Sequence, residues 1–188
     1  MGVPGYAQET IYNHIALTFW GCNDVMDMVK VWDDPITYLG SETGEGTTKD
    51  EIQKNLKKKY NDGGVKILIS AFGATEHPTS ANIDPTTCAT KLGNYVLGNN
   101  LDGVDLDWED NAAMEAGLGE QWLITFTKKL REMIPNHIIT HAPQGPYFKD
   151  DHYVNRAYVA IHESVGNLID FYNVQFYNQG NTEYNSYT

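Results

Sequence analysis

Residues 101–109 read LDGVDLDWE, an apolar run in which every second side chain from Asp105 onward is an acid. Alternation at period two is the signature of a β-strand, whose successive side chains turn to opposite faces. On a strand, Asp105, Asp107 and Glu109 share one face, and Val104, Leu106 and Trp108 share the other. The three carboxyls then lie along about 13 Å, at a rise of roughly 3.3 Å per residue. Such crowding is costly unless protons are held within the group, so folding alone does not select it. A solvated acidic loop does not interleave its acids with Val, Leu and Trp, and a calcium loop needs a Gly and a late Glu that this spacing lacks. The stretch is expected to be a buried strand ending in a chemical site that uses neither metal nor cofactor.

Four other stretches read as strands, at 11–20 with an apolar heart from Ile15, at 65–72, at 137–142 and at 169–177. Helices fit between them. Thr48 and Glu51 have capping-box spacing ahead of Ile52, Leu56 and Tyr60, and Gly63 and Gly64 end that helix. Asp84 and Pro85 fit an N-cap and first-turn proline before Cys88, Leu92, Tyr95 and Val96. Trp122, Leu123, Phe126 and Leu130 mark a helix over 118–134, and Tyr153, Ala157, Ile161 and Val165 mark one over 152–166. Strands alternating with helices imply parallel βαβ units, and the continuous apolar strands imply a sheet covered on both faces. In a β/α barrel, catalytic side chains gather at the strand ends where these acids fall.

Composition narrows the partners. Thirteen basic against 25 acidic residues give a formal charge of −12, which disfavours nucleic acid and anionic membranes and suits neutral or cationic substrates. No apolar run is long enough to span a membrane, and MGVPGYAQET carries no apolar signal region. Two cysteines, Cys22 and Cys88, could bridge or stay free, and burial as small apolar side chains is the favoured expectation. His14 and His141 are expected to be hydrogen-bonded packing residues.

Asp102, Asp105, Asp107 and Glu109, with Gly103 between the first two, resemble the DxxDxDxE signature of glycoside hydrolase family 18, the chitinases and endo-β-N-acetylglucosaminidases. Further segments resemble the short hevamine-like and fungal members. His14–Phe19 is similar to their second barrel strand, and Ser70, Ala71, Phe72 and Gly73 fall on an SxGG motif with Phe72 in place of its first Gly. His141, Ala142, Pro143 and Gln144 resemble an AAPQ segment, with Tyr147 nearby, and Gln175, Phe176, Tyr177 and Asn178 match QFYN letter for letter.

The resemblance implies an α/β (β/α)8 TIM barrel and a retaining hydrolase in which the substrate supplies the nucleophile, outside the usual two-carboxylate scheme. Glu109 would protonate the glycosidic oxygen while the acetamido carbonyl of the bound sugar attacks its own anomeric carbon. Asp107 would orient the acetamido N–H, Tyr177 would bond its oxygen, and Asp105 would share a proton with Asp107. Gln175, Asn178, Gln144, Tyr147, Gly73 and Phe19 would bind sugar, and Asp102 and Gly103 would be structural members of the motif. Coupled carboxyls titrate together, so the crowding is assigned to the row as a whole.

A complete barrel has eight strands in typically about 250 residues. The five strands of this 188-residue chain match strands two to six, so residues 1–188 are expected to be one partial catalytic domain. Strands one, seven and eight would come from a longer enzyme or from a second chain completing the barrel. The expected substrates are chitin and chito-oligosaccharides, with N-glycans as the alternative and a non-catalytic chitinase-like lectin as the rival class. Secretion is expected from the resemblance.

Overall fold

The computed structural model describes residues 11–22, 27–39 and 46–178. The opening segment read for a signal region and the stretch after Gly180 lie outside the described residues. Strands and helices alternate in the order β1 (His14–Trp20), α1 (Asp27–Asp33), α2 (Pro35–Leu39), α3 (Lys49–Asp62), β2 (Lys66–Gly73), α4 (Pro85–Gly98), β3 (Gly103–Trp108), α5 (Asn111–Glu115), α6 (Gly119–Met133), β4 (Ile138–His141), α7 (Ala157–Val165) and β5 (Phe171–Tyr172). Among the described residues the strands form one sheet, paired parallel in chain order from β1 to β5. That order is an arc of a β/α barrel, with five of its eight strands.

The helix starts follow their chemistry. Thr48 accepts the Glu51 backbone N–H, and the Glu51 side chain accepts the Thr48 N–H, a complete capping box. Asp84 caps α4 through the Thr87 N–H ahead of Pro85. Helices α4 and α6 pack against each other, as do α6 and α7. Val104, Leu106 and Trp108 are fully buried in the core that these helices share with the sheet.

The base of β3 is tied in two ways. Asp102 accepts the Ile67 N–H at 2.9 Å and pairs with Lys57 at 3.2 Å, fastening β3 to β2 and α3. Gly103 lies against β4 so closely that a Cβ there would sit 2.8 Å from the Ile138 carbonyl carbon and closer still to its oxygen.

Three expectations are corrected. Cys22 and Cys88 are joined in a disulfide, with Cα atoms 5.7 Å apart, rather than buried as separate thiols. The bond pins the segment after β1 to α4, and closing a loop of this size contributes about 4 kcal/mol through the chain entropy of the unfolded state. The fifth strand, expected over 169–177, is regular only at Phe171–Tyr172 and resumes as a single bridge between Gln144 and Gln175. Pro143 has no N–H, which breaks the ladder between these points, although its carbonyl still accepts from Gln175 at 2.9 Å. The last helix begins at Ala157, not near 152, because Arg156 and Ala157 take left-handed φ values of 68° and 42°. Tyr153 packs its ring on Tyr147 from the preceding loop.

Candidate active site

The sheet register sets the acids among their neighbours. Ser70 of β2 and Thr140 of β4 pair on either side of Asp105, and Phe72 pairs with Asp107. Asp105 is 6% exposed and has three donors: Ser70 Oγ at 3.1 Å on Oδ2, and Asn173 Nδ2 at 2.9 Å and Thr140 Oγ1 on Oδ1. Asp107 accepts from Gln175 Nε2 at 2.6 Å and shares a hydrogen bond with Glu109. Gln175 is buried and also donates to the Ala142 carbonyl at 2.8 Å, so its amide is fixed from both sides. Gln144 Nε2 reaches Glu109 Oε2 at 3.4 Å. A hydrogen bond of the row thus lies between Asp107 and Glu109.

Burial, then the charges of Glu109 and Asp105 and the bond to Glu109, push the Asp107 carboxyl up to about 7, with Gln175 opposing. The fold therefore favours neutral Asp107. A carboxyl raised in the folded state contributes stability that is complete below its ordinary value near 3.8 and is lost as pH rises through about 7. Asp107→Asn should remove that dependence. Discounted for the solvent that reaches a partly exposed carboxyl, the variant is expected to be about 1–2 kcal/mol more stable than the parent at pH 8. Denaturant midpoints at pH 5 and pH 8 check this, and an equal pH dependence in both proteins would contradict it.

Tyr177 stands 59% exposed beyond β5, and its phenol is pushed up by burial and then by the charges of Asp107 and Glu109, which places it within their field. Phe19 and Gly73 meet: the ring lies 2.9 Å from where a Gly73 Cβ would be, at a φ of +68°. Phe72, in the position of a motif glycine, takes a φ of 83°, the left-handed conformation that glycine adopts freely. Its ring turns into the core, 5.8 Å from Trp122 and 5.7 Å from Phe126. Asn178, also left-handed at 63°, is exposed.

Tyr147, expected at the sugar face, is instead fully buried, donates to Asn111 Oδ1 and packs beside Trp108. His141 is a packing residue, as expected: it contacts Thr127 and Tyr158, and burial pushes it down to about 3, so it stays neutral. His14 stacks edge-on against Phe171. The sequence reading did not single out Thr140, Asn173 or Asp110. Asn173 stands two residues before Gln175, the spacing that puts both on one face of a strand, and that was the available signal. Asp110, 1% exposed, caps α5 and holds Ser80 through its N–H at 2.7 Å and its hydroxyl at 2.6 Å, fixing the loop beside Glu109.

A parallel barrel arc with a hydrogen-bonded carboxyl row at its strand ends is the architecture of a glycoside hydrolase. The chain belongs to glycosyl hydrolases family 18, whose sequence model matches residues 4–188. A GH18 chitinase from Pseudoalteromonas aurantia shares 33% identity over 92% of the chain and 62% of its own, with a TM-score of 0.70. A family GH18 chitinase from Chromobacterium violaceum is 20% identical, covering 93% of this chain and 46% of its own, with a TM-score of 0.64. A chitinase from Aspergillus fumigatus is 19% identical, covering 91% and 58%, with a TM-score of 0.56. These two share the fold. The chain spans 62% of the Pseudoalteromonas protein, and no curated protein matches it.

Proposed function

We propose that this protein hydrolyses β-1,4 bonds of N-acetylglucosamine-containing glycans as an endochitinase, and that residues 1–188 are part of its catalytic domain. The observation that carries the reading is the continuous chain of side chains from Gln175 through Asp107 and Glu109 to Gln144, with Tyr177 beside it. Isolated buried carboxyls repel, whereas this row is arranged to hold a proton at the open end of the sheet.

In this reading Glu109 gives its proton to the glycosidic oxygen as the bond to the anomeric carbon breaks. The acetamido oxygen of the same sugar forms the new bond to that carbon, giving an oxazolinium ion on the opposite face. Asp107 accepts the acetamido N–H, and Tyr177 donates to the acetamido oxygen, which aligns the nucleophile. Water, deprotonated by the Glu109 carboxylate, then opens the ring, so two inversions leave the configuration retained. The charge of −12 suits an uncharged polysaccharide.

Among the described residues β1 and β5 are the edges of the sheet, and these edges with an inner cavity of about 250 Å³ lined by Ala16, Leu68, Phe171 and Asn173 among others support closure by further strands. The Cys22–Cys88 disulfide supports an extracellular setting, since such bonds persist in oxidising compartments. No described helix is long and apolar enough to cross a membrane. Cleavage of a chitin oligosaccharide with retained configuration at the new reducing end tests the mechanism.

A further inference from the structure

We propose that Asp110 is a positioning residue for the general acid: through Ser80 it fixes the main chain of Glu109 from the β2 side, while Asn111 fixes it from the β4 side. The inference rests on the glycosidase reading and deepens it, because it concerns where the acid stands when its proton is given up.

The strand ladders end short of the acid. On one side the last pair joins Gly73 to Trp108, and on the other it joins Leu106 to His141. Glu109 lies one residue past Trp108, so neither ladder reaches its main chain. Its placement falls to the two residues that follow it.

Asp110 is 1% exposed and both of its carboxyl oxygens are occupied. Oδ2 accepts the Ser80 N–H at 2.7 Å, and Oδ1 accepts the Ser80 hydroxyl at 2.6 Å and the Ala113 N–H at 3.4 Å. Capping α5 needs only the last of these, which is also the longest. The two short bonds tie the loop after β3 to the loop between β2 and α4. Ser80 is itself an anchored partner. Its loop closes through Ala81 N–H to the His77 carbonyl and Ile83 N–H to the Pro78 carbonyl, both at 2.9 Å. From outside, Glu76 accepts the Cys22 N–H and Trp122 Nε1 donates to the Ile83 carbonyl, each at 2.8 Å.

Asn111 completes the hold. Its N–H donates to the Glu109 carbonyl at 2.8 Å, and its Oδ1 accepts the hydroxyl of Tyr147, which is fully buried against Tyr158 and Trp108. The acid is thus suspended between two anchored segments, and its carboxyl is left to Asp107 and Gln144. Such fixing matters because a misplacement of about 1 Å can cost about 10²-fold in rate.

The experiment compares the parent, Asp110→Asn and Ser80→Ala by two readouts. Asp110→Asn keeps the side-chain shape but has one acceptor oxygen in place of two, and Ser80→Ala removes only the hydroxyl bond. Turnover is measured on a chitin oligosaccharide, whose leaving sugar hydroxyl needs a proton, and on a nitrophenyl chito-oligosaccharide, whose leaving phenolate does not. Asp110→Asn is expected to lower kcat on the first by about tenfold with KM little changed, and on the second by less than about twofold. Ser80→Ala should show the same selectivity with a smaller loss. Damage to the fold would lower both substrates alike.

The second readout is amide hydrogen exchange, which needs no turnover. The Asn111 amide reports on the Glu109 carbonyl, and it should exchange slowly in the parent and about tenfold faster in Asp110→Asn. The Ala142 amide, bonded to the Leu106 carbonyl at 2.8 Å, should be unchanged. Equal losses on both substrates, or unaltered Asn111 exchange, in a folded variant would overturn the proposal. So would a parent whose Asn111 amide exchanges as fast as an exposed one, whether or not either variant folds. A parent that cleaves neither substrate would count against the glycosidase reading, while the exchange result still decides whether Asp110 holds Glu109 in place.

Discussion

Replacing Glu109 with glutamine is expected to lower kcat on chitin oligosaccharides by about 10²–10⁴-fold, the range lost when a general acid is removed, with binding nearly unchanged. The substitution is nearly isosteric. Its amide oxygen can still accept from Gln144, which lies 3.4 Å from Glu109 Oε2, and can still meet the proton of Asp107. What it lacks is an acidic proton for the leaving oxygen. Titration calorimetry with a chitin oligosaccharide, run beside a cleavage assay, separates the two effects. Substantial turnover by the variant would mean that another group supplies the proton, and loss of binding with intact turnover chemistry would move Glu109 from acid to sugar ligand.

The second large effect is structural. Gly103→Ala is expected to destabilise the fold by about 3 kcal/mol or more, because the new Cβ meets the backbone carbonyl of Ile138, which cannot rotate aside as a side chain could. Gly103 and Ile138 are paired in the β3–β4 ladder, and Ile138 donates its N–H to the Asp102 carbonyl at 3.1 Å. Forcing these strands apart at their base also disturbs the pairing of Asp105 with Thr140 two residues further along. The variant should therefore lose stability and activity together. An unaltered denaturant midpoint would show that the strands have room the structure does not give them.

The strand assignments were legible because period and burial agree: LDGVDLDWE and VKILISAF each have a side facing helices, and both fold as read. Helix starts were legible where a side chain itself makes the cap, as at Thr48 and Asp84. Where backbone conformation decides, sequence patterning failed. Arg156 and Ala157 delay α7 with left-handed φ values that neither residue type signals, and Pro143 interrupts the fifth strand inside an aromatic run that otherwise reads as continuous. At the site, the acids are legible by face and Gln175 by the likeness of its segment to QFYN, whereas Thr140 and Asn173 are reached only by following strand parity across neighbouring strands. Tyr147 misled because its proximity in the chain to Gln144 says nothing of depth; it serves the core under Glu109's loop through Asn111. The disulfide depended on a 66-residue separation that two cysteines alone do not reveal.

The most direct test of substrate-assisted hydrolysis is the anomeric configuration of the first product. A chitin hexasaccharide cleaved by the protein should be followed by proton NMR within the first minutes, before mutarotation blurs the result. Under substrate-assisted hydrolysis the new reducing end appears as the β-anomer and relaxes later toward the equilibrium mixture. Appearance of the α-anomer first would mean single-step inversion by water and would contradict the roles given to Asp107, Glu109 and Tyr177.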